Sequence, residues 1–385
     1  MKITGVDCVL LSAPYADPTD GERAHYLRTG YRSHSFVRVR TDEGLDGIGE
    51  TYAGVFAPEA VRALISQFER ELLGNDPLEV ADLRERLRVS SYYWGRMGLT
   101  QSVLGGIEIA LWDLKAKVLG LPLYELLGGK VHTEIKIYAS GGTPKPLDEL
   151  EHEVRGYAQA GYKAIKIRIV HLSAEEVVAR VGMCRDVLGP EMGLAVDASQ
   201  GLLGRPWTVK EAIEIGRLLE PFHLLWIEEP AEVTNYKGFA EIRKSVNIPI
   251  AGGESVTSLT EAEAYLDAGA LDIFQPDAAV IGGLGIFRQV SQMCERHFIP
   301  IAAHAWSGGA GVMANYHAAF ASPNCVMLEM PNLANPLRDE LLVRPFEVKN
   351  GMLQAPTSPG LGVQLTPELE EEYPFRADSY FRITT

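Results

Sequence analysis

The chain has 385 residues and a formal net charge of −15. That length suits a (β/α)₈ barrel plus a second module, and an acidic chain repels phosphate backbones, which argues against a nucleic-acid partner. Four scattered cysteines, Cys8, Cys184, Cys294 and Cys325, form no C-x-x-C pair and fit a reducing, cytoplasmic setting; no apolar run is long enough to span a membrane. Residues 3–11 and 35–41 alternate like half-buried strands, with a glycine-rich turn at 42–50. Residues 58–73 and 77–89 show helical spacing. The segment 105–121 reads as an amphipathic helix with Ile107, Leu111, Leu114 and Val118 on one stripe. Residues 1–130 therefore read as an α+β module.

From 131 to 338 short apolar runs alternate with helical stretches. The predicted strands are 135–139, 164–169, 193–198, 224–230, 248–254, 271–277, 298–304 and 325–331, with helices such as 174–188, 208–219 and 259–268 between them. Eight strands alternating with helices is the pattern of a parallel (β/α)₈ barrel. Residues 339–385 break the pattern and are expected to pack back on the N-terminal module.

Charged residues recur in register at the strand ends: Lys166 and Arg168 on the second strand, then Asp197, Glu228, Glu254, Asp277, His304 and Glu329. In a barrel these ends share one mouth, and so many buried charges need a metal, a partner or a substrate. Asp197, Glu228 and Glu254 come from adjacent strands; they bind a cation, for which an all-oxygen set suits Mg²⁺, or share protons, or salt-bridge barrel cations. Asp277 can orient the His304 imidazole as a general base; the plainer reading is a satisfied core histidine. Lys166 and Arg168, two residues apart on a strand, point to one face and favour an anionic ligand or pair with the carboxylates. The aromatic and cationic stretch 92–98, with Trp94 and Arg96, is a substrate loop or mere packing. Tyr15, His25, Tyr26 and Arg32 pose the same question. Gly282 to Gly285 are expected to form a tight turn before a helix.

The segments GGIEIALWDLKAKVLGLPLYELLGG (105–129), K-x-R (166–168), VDAS (196–199), WIEEP (226–230), GGES (252–255), QPDAAVIGG (275–283) and AHAW (303–306) follow in an order that resembles the mandelate racemase subgroup of the enolase superfamily. The resemblance implies that residues 1–130 form a capping domain joined by the C-terminal segment. It makes Asp197, Glu228 and Glu254 the Mg²⁺ ligands and His304 and Asp277 the acid–base dyad. It casts Glu329 as a hydrogen-bond donor to the substrate carboxylate and Ser140 as a substrate contact. Ser199 and Trp306, inside the matching motifs, are further substrate-binding candidates. A homo-oligomer is also implied.

The sequence departs from the family's K-x-K pattern at Arg168, a residue that stays protonated and makes a poor base. The expected reaction is therefore Mg²⁺-dependent removal of the proton next to a carboxylate, with dehydration of an acid sugar to a 2-keto-3-deoxy acid. Racemisation, epimerisation and sugar-lactone cycloisomerisation are the alternatives, the last hinted at by NPLRDELL (335–342). Readings from other classes are a non-catalytic binding protein and a Schiff-base aldolase using Lys166.

Overall fold

The computed structural model describes residues 1–16, 26–27 and 29–382. The N-terminal module begins with an antiparallel sheet of β1 (Ile3–Pro14), β2 (Tyr31–Thr41) and β3 (Asp46–Thr51). The first two strands are longer than their alternation suggests, because they stay paired through Pro14 and Tyr31. Helices α1 (Pro58–Leu72) and α3 (Leu99–Leu119) pack on this sheet, and α2 (Val80–Ser90) packs against both helices. Val37, Val61, Ile65, Phe68, Leu83, Leu104, Ile107 and Leu111 make its core.

Helix α3 is not the one-sided helix that its stripe predicts. From Thr100 to Leu111 every residue is buried, because the helix lies between the sheet and the barrel. Its close seat on β3 depends on Gly47 and Gly49: a Cβ on either would come within 2.1 Å of an α3 carbonyl oxygen.

The barrel strands are β4 (Glu134–Ser140), β5 (Ala164–Arg168), β6 (Gly193–Asp197), β7 (Ile227–Glu228), β8 (Ile250–Gly252), β9 (Ile273–Phe274), β10 (Ile301–Ala303) and β11 (Cys325–Pro331). They pair in parallel in chain order, and β11 returns to β4 to close the barrel. Between them run α4 (Leu147–Gln159), α5 (Ala174–Leu188), α6 (Val209–Leu219), α7 (Tyr236–Ser245), α8 (Leu259–Ala268), α9 (Ala278–Ile281), α10 (Leu284–Arg296) and α11 (Gly309–Phe320). Strands β7 to β10 are shorter than the apolar runs that contain them. Pro230, Pro249, Pro276 and Pro300 flank them and cannot donate to a ladder. Pro276 ends β9 before Asp277, which caps α9 instead, and Glu254 lies beyond β8 after Gly253, whose φ is 103°.

The lumen is plugged below the mouth. Small residues Ala164, Ala195, Ala251 and Ala302 make room for Tyr138, Trp226 and Met327. The Tyr138 and Trp226 rings meet edge to face at 5.2 Å. The C-terminal segment, after α12 (Pro336–Asp339), first adds to the barrel: β12 (Val348–Lys349) pairs with β13 (Met352–Gln354), and β13 pairs antiparallel with β4. From Leu361 through α13 (Pro367–Glu372) and beyond it meets the N-terminal module: Leu361 N donates to Asp113 Oδ1, Arg38 Nη2 donates to the Leu365 carbonyl, and Ser12 N donates to the Tyr373 carbonyl. No helix among the described residues is long and apolar enough to cross a membrane, and the four cysteines are free thiols.

Candidate active site

The strand ends converge as their register requires. Asp197, Glu228 and Glu254 bring carboxylate oxygens within 4.8 Å of one another. Asp197 is fixed by its own loop: Ser199 donates to Asp197 Oδ1 from its backbone N at 2.8 Å and from its hydroxyl at 2.6 Å. Glu228 is fully buried and accepts on both oxygens, from Lys166 Nζ at 2.6 Å on Oε1, and from Trp226 Nε1 at 3.0 Å and Gln275 Nε2 at 2.6 Å on Oε2. Burial, with Asp197 and Glu254 close by, pushes its carboxyl up to about 8 despite Lys166. A site that strains to hold its own negative charge fits a cation. The donors are all oxygen, which selects a hard dication such as Mg²⁺ over zinc.

Lys166 sits under the triad. Burial opposes its charge, but Glu228 and Glu329, the latter 3.0 Å away, outweigh burial and hold the ammonium protonated well above the usual lysine range. An ammonium gripped by two carboxylates makes a poor nucleophile for the Schiff-base aldolase reading. Arg168 faces the cavity instead. Its Nε lies 3.7 Å from Asp197 Oδ2 and its guanidinium stacks over the Trp306 ring at 4.3 Å.

Across the mouth, His304 Nδ1 is 2.7 Å from Asp277 Oδ2. Asp277 Oδ1 accepts from Ala279 N and Asn315 Nδ2, both at 2.7 Å. With Nδ1 donating to Asp277, Nε2 is the nitrogen left to work; it lies 3.5 Å from Glu254 and 3.8 Å from Glu329. Burial would lower the imidazole pKa, but Glu254, Glu329 and Asp277 together raise it to about 10. A dication at the triad offsets Glu254 and moves the ring back toward a base.

Glu329 sits on the floor of the mouth between Lys166 and His304. Burial alone would raise its pKa, yet Lys166 and His304 hold it down at about 2. Its Oε2 accepts from Ala305 N at 2.9 Å while Oε1 faces Lys166. It anchors Lys166 and the His304 loop.

A cavity of about 460 Å³ opens above this floor. Arg168, Asp197, Ser199, Glu254, His304 and Trp306 line it. Ser140 is fully buried beside Glu329 and stands outside the lining. Trp94 and Arg96 also stand outside it: Trp94 is 47% exposed and stacks on Phe68, and Arg96 is exposed near the Tyr92 ring. The helix start that follows them, Gly98 and Leu99, does reach the cavity. Of the early-loop candidates Tyr26 lines it. Arg32 lies buried beneath, donating to the Trp306 carbonyl at 2.5 Å with the Tyr15 ring 4.5 Å away, and His25 falls outside the described residues.

Motif spacing does not point to the remaining walls. Tyr52 approaches His304 edge-on at 5.9 Å from the N-terminal module, and Phe381 arrives from the far end of the chain to stack on Tyr26 at 4.6 Å. His171 and Glu229 line the cavity from loops after β5 and β7. Both, with Ser199 after β6, hold left-handed backbone (φ 62°, 43° and 44°) without being glycine. Such strain concentrates where function needs it. The one sequence signal for Glu229 was its place beside Glu228 in the E-E-P triplet.

Two family models match this chain: "Mandelate racemase / muconate lactonizing enzyme, N-terminal domain" over residues 27–128 and "Enolase C-terminal domain-like" over residues 149–369. The chain is 31% identical to the D-galactarolactone cycloisomerase of Agrobacterium fabrum, covering 97% of this chain and 99% of that protein. It is 31% identical to the arabinonate dehydratase of Saccharolobus solfataricus, covering 88% of this chain and 89% of that protein. Among solved structures, a mutant L-talarate/galactarate dehydratase liganded with Mg and L-glucarate superposes with a TM-score of 0.85 at 28% identity, covering 97% of this chain and 92% of that one.

Proposed function

The chain belongs to the mandelate racemase/muconate lactonizing enzyme family of the enolase superfamily, and from that premise we propose that it eliminates water from an acid sugar to give a 2-keto-3-deoxy acid. Magnesium is its cofactor, and Asp197, Glu228 and Glu254 are the residues that would hold it. When bound, the ion supplies positive charge next to the substrate carboxylate and so acidifies the neighbouring C–H bond. Arg168 is the arginine that faces the cavity among the described residues and meets the anionic substrate; Lys166 lies below, paired with Glu228. His304 Nε2 takes the proton from C2, with Asp277 holding the ring through Nδ1. The C2–H electron pair passes into the carboxylate and returns to form the C2=C3 bond as the C3–O bond breaks. The departing hydroxyl leaves as water with a proton from His304. The enol then takes a proton at C3 and becomes the ketone.

One observation carries the choice of elimination. The position that should supply a second base is Arg168, committed to Asp197 and Trp306, so one imidazole must serve both proton transfers. A second reading, cycloisomerisation, uses the same step with a ring oxygen as leaving group. It is favoured by the near-complete coverage of the D-galactarolactone cycloisomerase and by the apolar and aromatic residues Phe56, Val170, Val233 and Phe381 in the cavity wall. A cytoplasmic homo-oligomer completes the proposal.

Proton NMR in D₂O with Mg²⁺, against pooled acid sugars and lactones, tests both readings. New 2-keto-3-deoxy signals that vanish in His304→Asn and after EDTA support dehydration. Isomerised product without loss of water moves the assignment to cycloisomerase. Epimerisation alone overturns both.

A further inference from the structure

Glu50, the penultimate residue of β3, is fully buried and its carboxylate leaves the N-terminal module to enter the barrel. Oε1 accepts from Gly308 N at 2.8 Å and from His34 Nδ1 at 2.9 Å; Oε2 accepts from Gly311 N at 2.9 Å. Gly308 is the N-cap of α11 and Gly311 lies in its first turn. That helix has no side-chain cap of its own, because glycine occupies the cap position. Glu50 therefore supplies the cap from another module, and its charge meets the positive end of the helix. Burial lowers the His34 pKa more than Glu50 raises it, so the imidazole contributes a neutral N–H donor.

Helix α11 in turn holds the dyad. Asn315 donates to Asp277 Oδ1 at 2.7 Å and accepts from Ala278 N at 2.6 Å. The residue that Asp277 orients, His304, lies four positions before Gly308 on the loop that leads into the same helix. Both partners of the dyad are thus tied to α11, one through Asn315 and one through the 305–308 loop.

We propose that Glu50 is a positioning residue for the His304–Asp277 pair. It fixes the N-terminus of α11, and through Asn315 and the 305–308 loop it sets the geometry of the hydrogen bond that orients the base. The proposal rests on His304 and Asp277 being the acid–base pair, and it holds whichever leaving group the enzyme expels. A bare staple between modules would hold the two bodies together without governing the dyad.

The test uses the Mg²⁺-loaded enzyme with ¹⁵N-labelled histidine. The His304 Nδ1–H resonance is identified by its loss in His304→Asn. In Glu50→Gln the amide offers one acceptor where the carboxylate offered two. The expected result is a shifted Nδ1–H signal that exchanges faster with solvent, with Mn²⁺ affinity within about twofold of wild type and, on a turned-over substrate, kcat lower by about 10- to 100-fold at little change in KM. Asp113→Asn disturbs a different buried carboxylate, one that accepts from Ile48 N and Leu361 N, and should leave the His304 signal in place. Should Glu50→Gln not fold, Asn315→Ser cuts the same path at its last link and should move the same resonance. An unmoved resonance in either folded variant overturns the proposal, as does an equal change in Asp113→Asn. The resonance needs no substrate, so failure of this proposal is separate from failure to find an acid sugar that turns over.

Discussion

On strands β6 to β8 the carboxylates are held from inside the barrel. Lys166 and Gln275 grip Glu228, and Ser199 folds back on Asp197. After β9 and β10 the dyad is held from outside the strands. Asn315 of α11 grips Asp277, and Glu50 of the N-terminal module grips the start of α11. The carboxylate cluster is therefore held by the barrel, whereas the His304–Asp277 pair, the proposed proton-transfer half, is held jointly with the N-terminal module.

Removing the base should break the comparison most sharply. His304→Asn should cost about 10³-fold in kcat while leaving Mn²⁺ affinity within about twofold; activity and metal titration on one preparation check both. A parallel loss of metal binding would show that the two halves are a single unit. Arg168→Lys comes next. It replaces a fixed cation with a titratable amine, and elimination should fall about tenfold. Deuterium should also enter the α-carbon from the face opposite His304. An unlabelled opposite face, seen by NMR of recovered substrate, would mean that this position does not look at the α-carbon.

Trp306→Leu should act more mildly. It removes the ring under the Arg168 guanidinium, a contact worth about 1 kcal/mol, so KM should rise roughly fivefold with kcat little changed. A large fall in kcat instead would place Trp306 in the proton-transfer half. The last effect is on stability. Buried in α11, His317 accepts from Tyr124 N, and burial lowers its pKa to about 4. The unfolded chain binds this proton near the ordinary histidine value while the folded chain resists it. The contribution is therefore complete above about pH 6.5 and is lost as pH falls toward about 4. Urea unfolding at pH 7 and pH 5 should show a drop that is about 2 kcal/mol smaller in His317→Gln than in wild type; an equal drop would mean that the ring is protonated in the fold.

The amino-acid sequence by itself determined the alternation of strands and helices, the strand-end carboxylates, the His304 and Asp277 pair, and the arginine where a lysine was expected. These were legible because they are local. Apolar runs are read within a few residues, and a barrel whose strands pair in chain order turns each strand end into a point on one mouth. Local pattern was also ambiguous. The aromatic and cationic stretch at 92–98 read equally as a substrate loop or as packing, and Trp94 stacks upon Phe68 outside the cavity lining. The α3 stripe suggested one buried face, yet sheet and barrel cover it together. Only the tertiary structure decided that Tyr26, Tyr52 and Phe381 share a wall, that Glu329 accepts from Ala305 N, and that Glu50 caps a helix 258 positions later. Those facts depend on contacts between segments hundreds of residues apart, and no periodicity within one segment carries information about what will close over it.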